Sequence, residues 1–351
     1  MDRRTFIKLS AAAPFTIRYL ISGVEPAPAS IGVFAQPCFD VFEVDGTHHQ
    51  IGYRIGTRFG TNIRGIIRRR SKWHAGLVTI LRSKKGRSVS DKLLDITGRH
   101  FPQILQEIRG MAEGAGIAFD SMWAMSIKSE LSVLETETPG CSSIFLGNNN
   151  YRCLFHNEDG HAAYRDLMFV VRVKTPSGVS FMSMVYPGII TGNGPSLNDR
   201  GVFQTTNYIG SVQSEIGIPR YVIGRAILEA KDTKEAIDIA TMAPRAYPYH
   251  HNIGSLIDQT YFSIETVPGA SRVKKPGGMY VHTNHLLFED TRDSWQENDT
   301  YISTSSLSRF EVIQNELNRL DPGKALPTDM FTILSSHQRA PYSPCRHPTE
   351  E

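Results

Sequence analysis

A break at Thr136 to Gly140 does most to limit how this chain can fold. Before it, apolar residues recur at helical spacing, with Leu93, Leu94, Ile104, Leu105, Ile108 and Met111 as the clearest run from 57 to 130. A strand from Phe39 to Val44, a turn at Asp45-Gly46 and a helix start near Gln50 precede that stretch, and Asp120-Ser121 is expected to cap a helix over Met122 to Glu130. After Pro139-Gly140 the pattern alternates, predicting strands over Cys141 to Leu146, Tyr151 to His156, Leu167 to Lys174 and Ser180 to Val185. Asn148-Asn149-Asn150 and Thr175-Pro176-Ser177-Gly178 supply the turns between them. A strand from Val202 to Asn207, helices over 219–230 and 233–242, and strands near 252–258, 260–266 and 279–283 follow. Helices, then hairpins, then more of both predict an α+β fold of packed layers. The lack of repeats or low-complexity linkers predicts a single domain over 30–351.

The N-terminus reads differently. Arg3-Arg4 followed by Thr5-Phe6-Ile7-Lys8 and a short apolar run has the layout of a twin-arginine export signal. Ala27-Pro28-Ala29 gives the small-x-small site for its removal, so residues 1–29 are expected to be a signal peptide and the mature protein periplasmic or secreted. No other run approaches the roughly 20 apolar residues of a membrane span, so no stable membrane anchor is expected. The formal charge of +3 is dispersed, which argues against nucleic acid and for a small-molecule substrate.

Cys38, Cys141, Cys153 and Cys345 could form two disulfides, but their spacing matches neither a zinc site nor a redox pair. Cys141 follows a Pro-Gly step and opens a strand. Gly140 removes side-chain bulk beside the preceding carbonyl, which suits attack by the thiol of the next residue. Cleavage by an N-to-S acyl shift would expose an α-amine of pKa about 7.7–8.0 beside a thiol of about 8.5, so the amine can act as base for its own nucleophile. The local sequence fits a small buried hydrophobe as well as a nucleophile.

A set of short motifs in fixed order goes further. Gln50-Ile51-Gly52-Tyr53, Glu107 to Gly114, Gly140-Cys141-Ser142-Ser143, Asn157-Glu158-Asp159, Asn198 to Val202, Val281 to His285 and Ser343 to Pro348 together resemble the acyl-coenzyme A:isopenicillin-N acyltransferase family. Its members are autoproteolytic cysteine N-terminal-nucleophile enzymes with a four-layer αββα sandwich. The resemblance implies cleavage between Gly140 and Cys141, giving 30–140 and 141–351 as fragments that stay associated, with Cys141 as nucleophile. It implies that Asp159 holds the new α-ammonium, that Asn284 faces the oxyanion, and that Ser343 and Arg346 grip a substrate carboxylate. It implies no cofactor and no metal, although His282 and His285 flank Asn284.

Two departures matter. Glu158 stands where the family commonly has an aromatic residue, and relatives continue past Cys345-Arg346-His347-Pro348 with further strands, so an open sheet edge is expected. The activity implied is a cysteine amidohydrolase or acyltransferase acting on a linear amide or N-acyl compound. Export favours water over acyl-coenzyme A chemistry. The alternatives are an acyl-coenzyme A-dependent N-acyltransferase and a binding protein that kept the fold without turnover.

Overall fold

The computed structural model describes residues 41–131, 140–295 and 302–346; the expected signal peptide, Cys38, most of the 136–140 break and His347 lie outside them. Strand β1 (Val41–Asp45) leads into α1 (His48–Arg69), α2 (Ser71–Arg82), α3 (Lys84–His100), α4 (Pro102–Ala115) and α5 (Phe119–Ser126). Thr47 starts α1 with a capping box: its hydroxyl accepts from Gln50 N at 3.3 Å, and Gln50 Oε1 accepts from Thr47 N at 2.9 Å. The expected cap at Asp120 is not one. Asp120 lies inside the first turn of α5, where its carboxylate accepts from Arg82 at 3.3 Å and Arg87 at 3.2 Å, and the helix ends at Ser126.

The second half contributes β2 (Gly140–Gly147), β3 (Arg152–Asp159), β4 (Phe169–Lys174), β5 (Ser180–Val185), β6 (Ser196–Asn198) and β7 (Val202–Tyr208). Then come α6 (Arg220–Ile227), α7 (Thr233–Ala240), β8 (Tyr249–Ser255), β9 (Thr260–Val267), β10 (Ala270–Lys274) and β11 (Met279–His282). Three helices close the described chain: α8 (Glu289–Ser294), α9 (Thr304–Asn318) and α10 (Pro327–Leu334). An eight-stranded sheet runs β1-β4-β5-β6-β7-β8-β9-β10, and a three-stranded sheet runs β11-β2-β3. All ladders are antiparallel except β1 with β4.

The alternation of β2 explains the layering. Ile144 and Leu146 face outward and share an apolar core with Ile313 and Leu317 of α9 and Met330 and Ile333 of α10. Ser143 and Phe145 face inward; Phe145 stacks on Tyr261 of β9, ring centroids 4.2 Å apart. The far face of the large sheet is covered by α1 and α4 to α7 through the main core. The result is the αββα sandwich that the resemblance implies. Among the described residues no helix is long and apolar enough to cross a membrane.

Helices α1 and α4 meet backbone to backbone. A Cβ on Gly110 would lie 2.1 Å from the His49 carbonyl oxygen, and one on Gly52 would lie 2.0 Å from that of Glu107. Rigid backbone on both sides cannot yield as a side chain can, so Gly110→Ala must part the helices. We expect it to lower unfolding free energy by about 3 kcal/mol, read as a fall in urea midpoint at unchanged slope.

The two sheets are joined by polar groups. Ser143 Oγ donates to Asn207 Oδ1 at 3.0 Å and accepts from Asn252 Nδ2 at 3.1 Å, while His250 lies between Asn207 and Ser263 at 2.9 and 2.8 Å. Burial, with charge from His282, holds the His250 pKa well below the usual value; burial lowers His251 to about 3 and His285 to about 4. These rings are neutral in the fold, whereas the unfolded chain takes up protons below pH about 6.5. Their contribution is therefore complete above that value and lost as pH falls toward the folded pKa. By pH 5, His251 and His285 should each have lost about 2 kcal/mol. Chemical unfolding at pH 7.5 and 5 should show the drop, and His251→Gln should shrink it.

Candidate active site

Cys141 is the second residue of β2, paired across the ladder with Glu158, as Gly140 is with Asp159. Paired residues project to the same face. The Cys141 thiol thus lies between the sheets and donates to Glu158 Oε1 at 3.7 Å, while Gly140 and Asp159 face the α9 side. Glu158 also accepts from Tyr186 Oη at 2.8 Å, and its other oxygen is 3.1 Å from His156 Nε2.

The backbone of Cys141 is gripped on both sides. Its N–H donates to Asn284 Oδ1 at 2.8 Å, and its carbonyl accepts from Arg309 Nη1 at 2.6 Å. Arg309 Nη2 donates to the same Asn284 oxygen at 2.7 Å, and Nη1 also reaches Ser142 Oγ at 2.9 Å. The Asn284 side-chain nitrogen donates to Tyr208 O at 2.9 Å. Asn284 therefore turns its oxygen to the Cys141 amide, while the backbone N–H of Tyr208 points at the sulfur.

Arg346 Nε donates to Asp159 Oδ2 at 3.1 Å and Nη1 to Ser305 Oγ at 3.2 Å. It pairs with Asp159, which it neutralises, and keeps about a fifth of its side chain exposed. Ser343 is buried and donates to Cys345 O at 2.6 Å, shaping the turn that carries Arg346. A Cβ on Gly140 would fall 2.7 Å from Arg346 Nη2, 3.0 Å from Arg309 Nη2 and 3.1 Å from Asp159 Oδ2, so a side chain added here must displace at least the Arg346 guanidinium.

Burial, followed by the charges of Glu158 and Asp159, pushes the Cys141 thiol well above its usual pKa against the opposing pull of Arg309. The thiol is therefore protonated at neutral pH. Cys141 and Cys153 are free thiols. Cys141, His156 and Glu158 each offer an atom within 4.8 Å of the others, a donor set of the kinds zinc accepts. His282 instead bonds Glu265 at 2.9 Å, and that carboxylate also accepts from Leu287 N, Phe288 N and Thr291. The thiol opens onto a narrow cleft whose walls include Lys128, Tyr186, Arg220 and Tyr249.

Arg309, Tyr208 and Arg220 escape a motif reading. Arg309 leaves one trace: it falls on the apolar stripe of α9 with Ile313 and Leu317, and a charge on a buried stripe requires a partner inside.

A thiol seated beside a pinned peptide nitrogen, between two sheets, puts a sulfur able to accept an acyl group on the wall of a cleft. The chain belongs to the acyl-coenzyme A:6-aminopenicillanic acid acyl-transferase family, whose model matches residues 146–351. It is an amide hydrolase or acyltransferase. It is similar to the beta-alanyl-dopamine/carcinine hydrolase of Drosophila melanogaster, 27% identical in a 296-residue alignment that covers 76% of each chain. Among solved structures it is similar to the N-acylethanolamine-hydrolyzing acid amidase ortholog of Caenorhabditis elegans, at 13% identity and TM-score 0.42, over 57% of this chain and 89% of that one.

Proposed function

We propose that the chain is a self-activating cysteine amidohydrolase of linear amides, exported by its twin-arginine segment. The observation that carries this reading is the clamp on Cys141, with its N–H on Asn284, its carbonyl on Arg309 and its thiol on Glu158. In maturation the Cys141 sulfur attacks the Gly140 carbonyl carbon and Glu158 takes the thiol proton. The C–N bond breaks as the C–S bond forms, and the nitrogen leaves as the α-amine after gaining a proton. Water then hydrolyses the thioester, freeing the Gly140 carboxylate and restoring the thiol.

In turnover the α-amine replaces Glu158 as proton acceptor. Asp159, held by Arg346 beside Gly140, steadies the ammonium form. Tyr208 N–H and the Asn284 amide, released from Tyr208 O by a small rotation, serve the oxyanion. The amine product leaves and water attacks the acyl-thioester. The Drosophila relative is named for hydrolysing β-alanyl amides, and this supports water as the acceptor.

A denaturing gel and N-terminal sequencing test the first half: the wild type should give two fragments, the larger beginning at Cys141. Release of amine from a panel of N-acyl amines and N-acyl amino acids tests the second. An intact chain that nevertheless turns over amides would refute self-activation. Faster acyl movement to an added amine than to water would assign the protein as a transferase.

A further inference from the structure

We propose that Arg220 anchors a carboxylate of the substrate, so that the amides this enzyme takes carry an anionic group directed away from Glu158; this rests on the amide-hydrolase reading above. Arg220 opens α6 and is only 3% exposed, yet it lines the same cleft as Cys141 and Glu158. Its backbone N–H donates to Glu130 Oε1 at 2.9 Å and its Nη2 to Tyr221 Oη at 2.8 Å. Nε and Nη1 meet no acceptor. Instead the guanidinium carbon sits 4.8, 4.5, 5.5 and 4.7 Å from the ring centres of Tyr208, Tyr221, Tyr247 and Tyr249.

Aromatic faces favour a cation, but they do not replace in-line acceptors for its N–H groups. Among the described residues, no ion pair to Arg220 forms: Glu130 spends one oxygen on the Arg220 backbone, and burial raises its pKa, which weakens it as a counter-charge. A buried guanidinium with two idle donors is costly unless something else supplies the acceptors. A ligand carboxylate does so.

Position makes the anchor useful. Tyr208 has its backbone N–H at the Cys141 sulfur and its ring over Arg220, so one tyrosine side chain separates the reacting atom from the anchor. Glu158 repels an anion at the thiol end, while Arg220 and Lys128 attract one at the other. A substrate carboxylate thus fixes which way the amide enters. It can belong to the acyl half or to the amine half.

Two matched pairs distinguish these sources: succinyl anilide against pentanoyl anilide, and N-butyrylglycine against N-butyrylpropylamine. Within one pair the processed wild type should favour the carboxylate member by about 100-fold in kcat/KM, mainly through KM. Arg220→Met should collapse that ratio to near unity and Arg220→Lys should keep part of it, with fragment formation reporting that each variant folds. An unchanged ratio in Arg220→Met, or no preference in the wild type, overturns the anchor. If the wild type turns over no member, the amidase reading fails separately. Calorimetry of succinate and N-butyrylglycine on Cys141→Ala, with and without Arg220→Met, then decides the anchor: binding lost with Arg220 supports it, and binding unaffected or absent refutes it.

Discussion

Cys141→Ala is expected to run on a denaturing gel as one uncut chain and to lose amide turnover by about 10⁴-fold or more. Under the proposed mechanism both effects have one origin, because the same sulfur would attack the Gly140 carbonyl once and substrate carbonyls afterwards. The substitution should leave the fold in place, since it replaces a small buried side chain whose sulfur bond to Glu158 is weak. Gly140→Val should separate the two roles. Its side chain collides with Arg346, Arg309 and Asp159, so cutting should slow sharply while the thiol remains. Fragment formation in Cys141→Ala, or turnover retained within tenfold, would assign the nucleophile elsewhere.

Arg309→Met should bring the second largest loss. Arg309 is fully buried, and its removal strips donors from the Cys141 carbonyl, Ser142 Oγ and the Asn284 oxygen at once. Leaving such acceptors unpaired should lower stability by about 3 kcal/mol. It should also slow cutting at Gly140 by about 100-fold, because the Cys141 carbonyl then loses its donor and Asn284 one of the bonds that orient it. Urea unfolding in a Cys141→Ala background measures stability apart from cutting. Arg309→Lys, which keeps the charge without the planar fork, should restore stability more than cutting rate. If cutting falls only as far as the folded fraction falls, Arg309 is structural alone.

Much of this architecture is visible in the sequence, and the exceptions have physical reasons. The helical first half, the hairpins from Cys141 to Val185 and the turn at Asn148 to Asn150 lie where periodicity and turn chemistry put them. β8 begins at Tyr249, three residues before the expected start, because Tyr249, His250 and His251 are polar or amphipathic residues buried between sheets and break the apolar alternation. α9 and α10 are missing from the periodicity reading; Arg309 and Ser306 occupy inward positions on α9 and blur its stripe. At the site, motif order brings Gly140, Cys141, Asp159 and Asn284 to one place, and Arg346 with them. The task of Arg346 was not legible, because whether a guanidinium meets a ligand or a neighbouring carboxylate depends on the fold. The salience of Glu158 was legible as a departure, while its bond to the thiol follows from the β2–β3 register.

The place of β2 has a consequence for the mature molecule. It is the middle strand of its sheet, with β11 on one side and β3 on the other, so a cut before Cys141 creates a chain end already paired with Glu158 and, from Ser143 onward, seated on both flanks. The smaller piece is interlocked as well: its β1 lies along β4, and its α1 and α4 form part of the main core. Under the proposed maturation the two polypeptides are therefore expected to behave thermodynamically as one, with no folded half to release. Dilution should not separate them, and the denaturant concentration that parts them should be the one that melts the sheets.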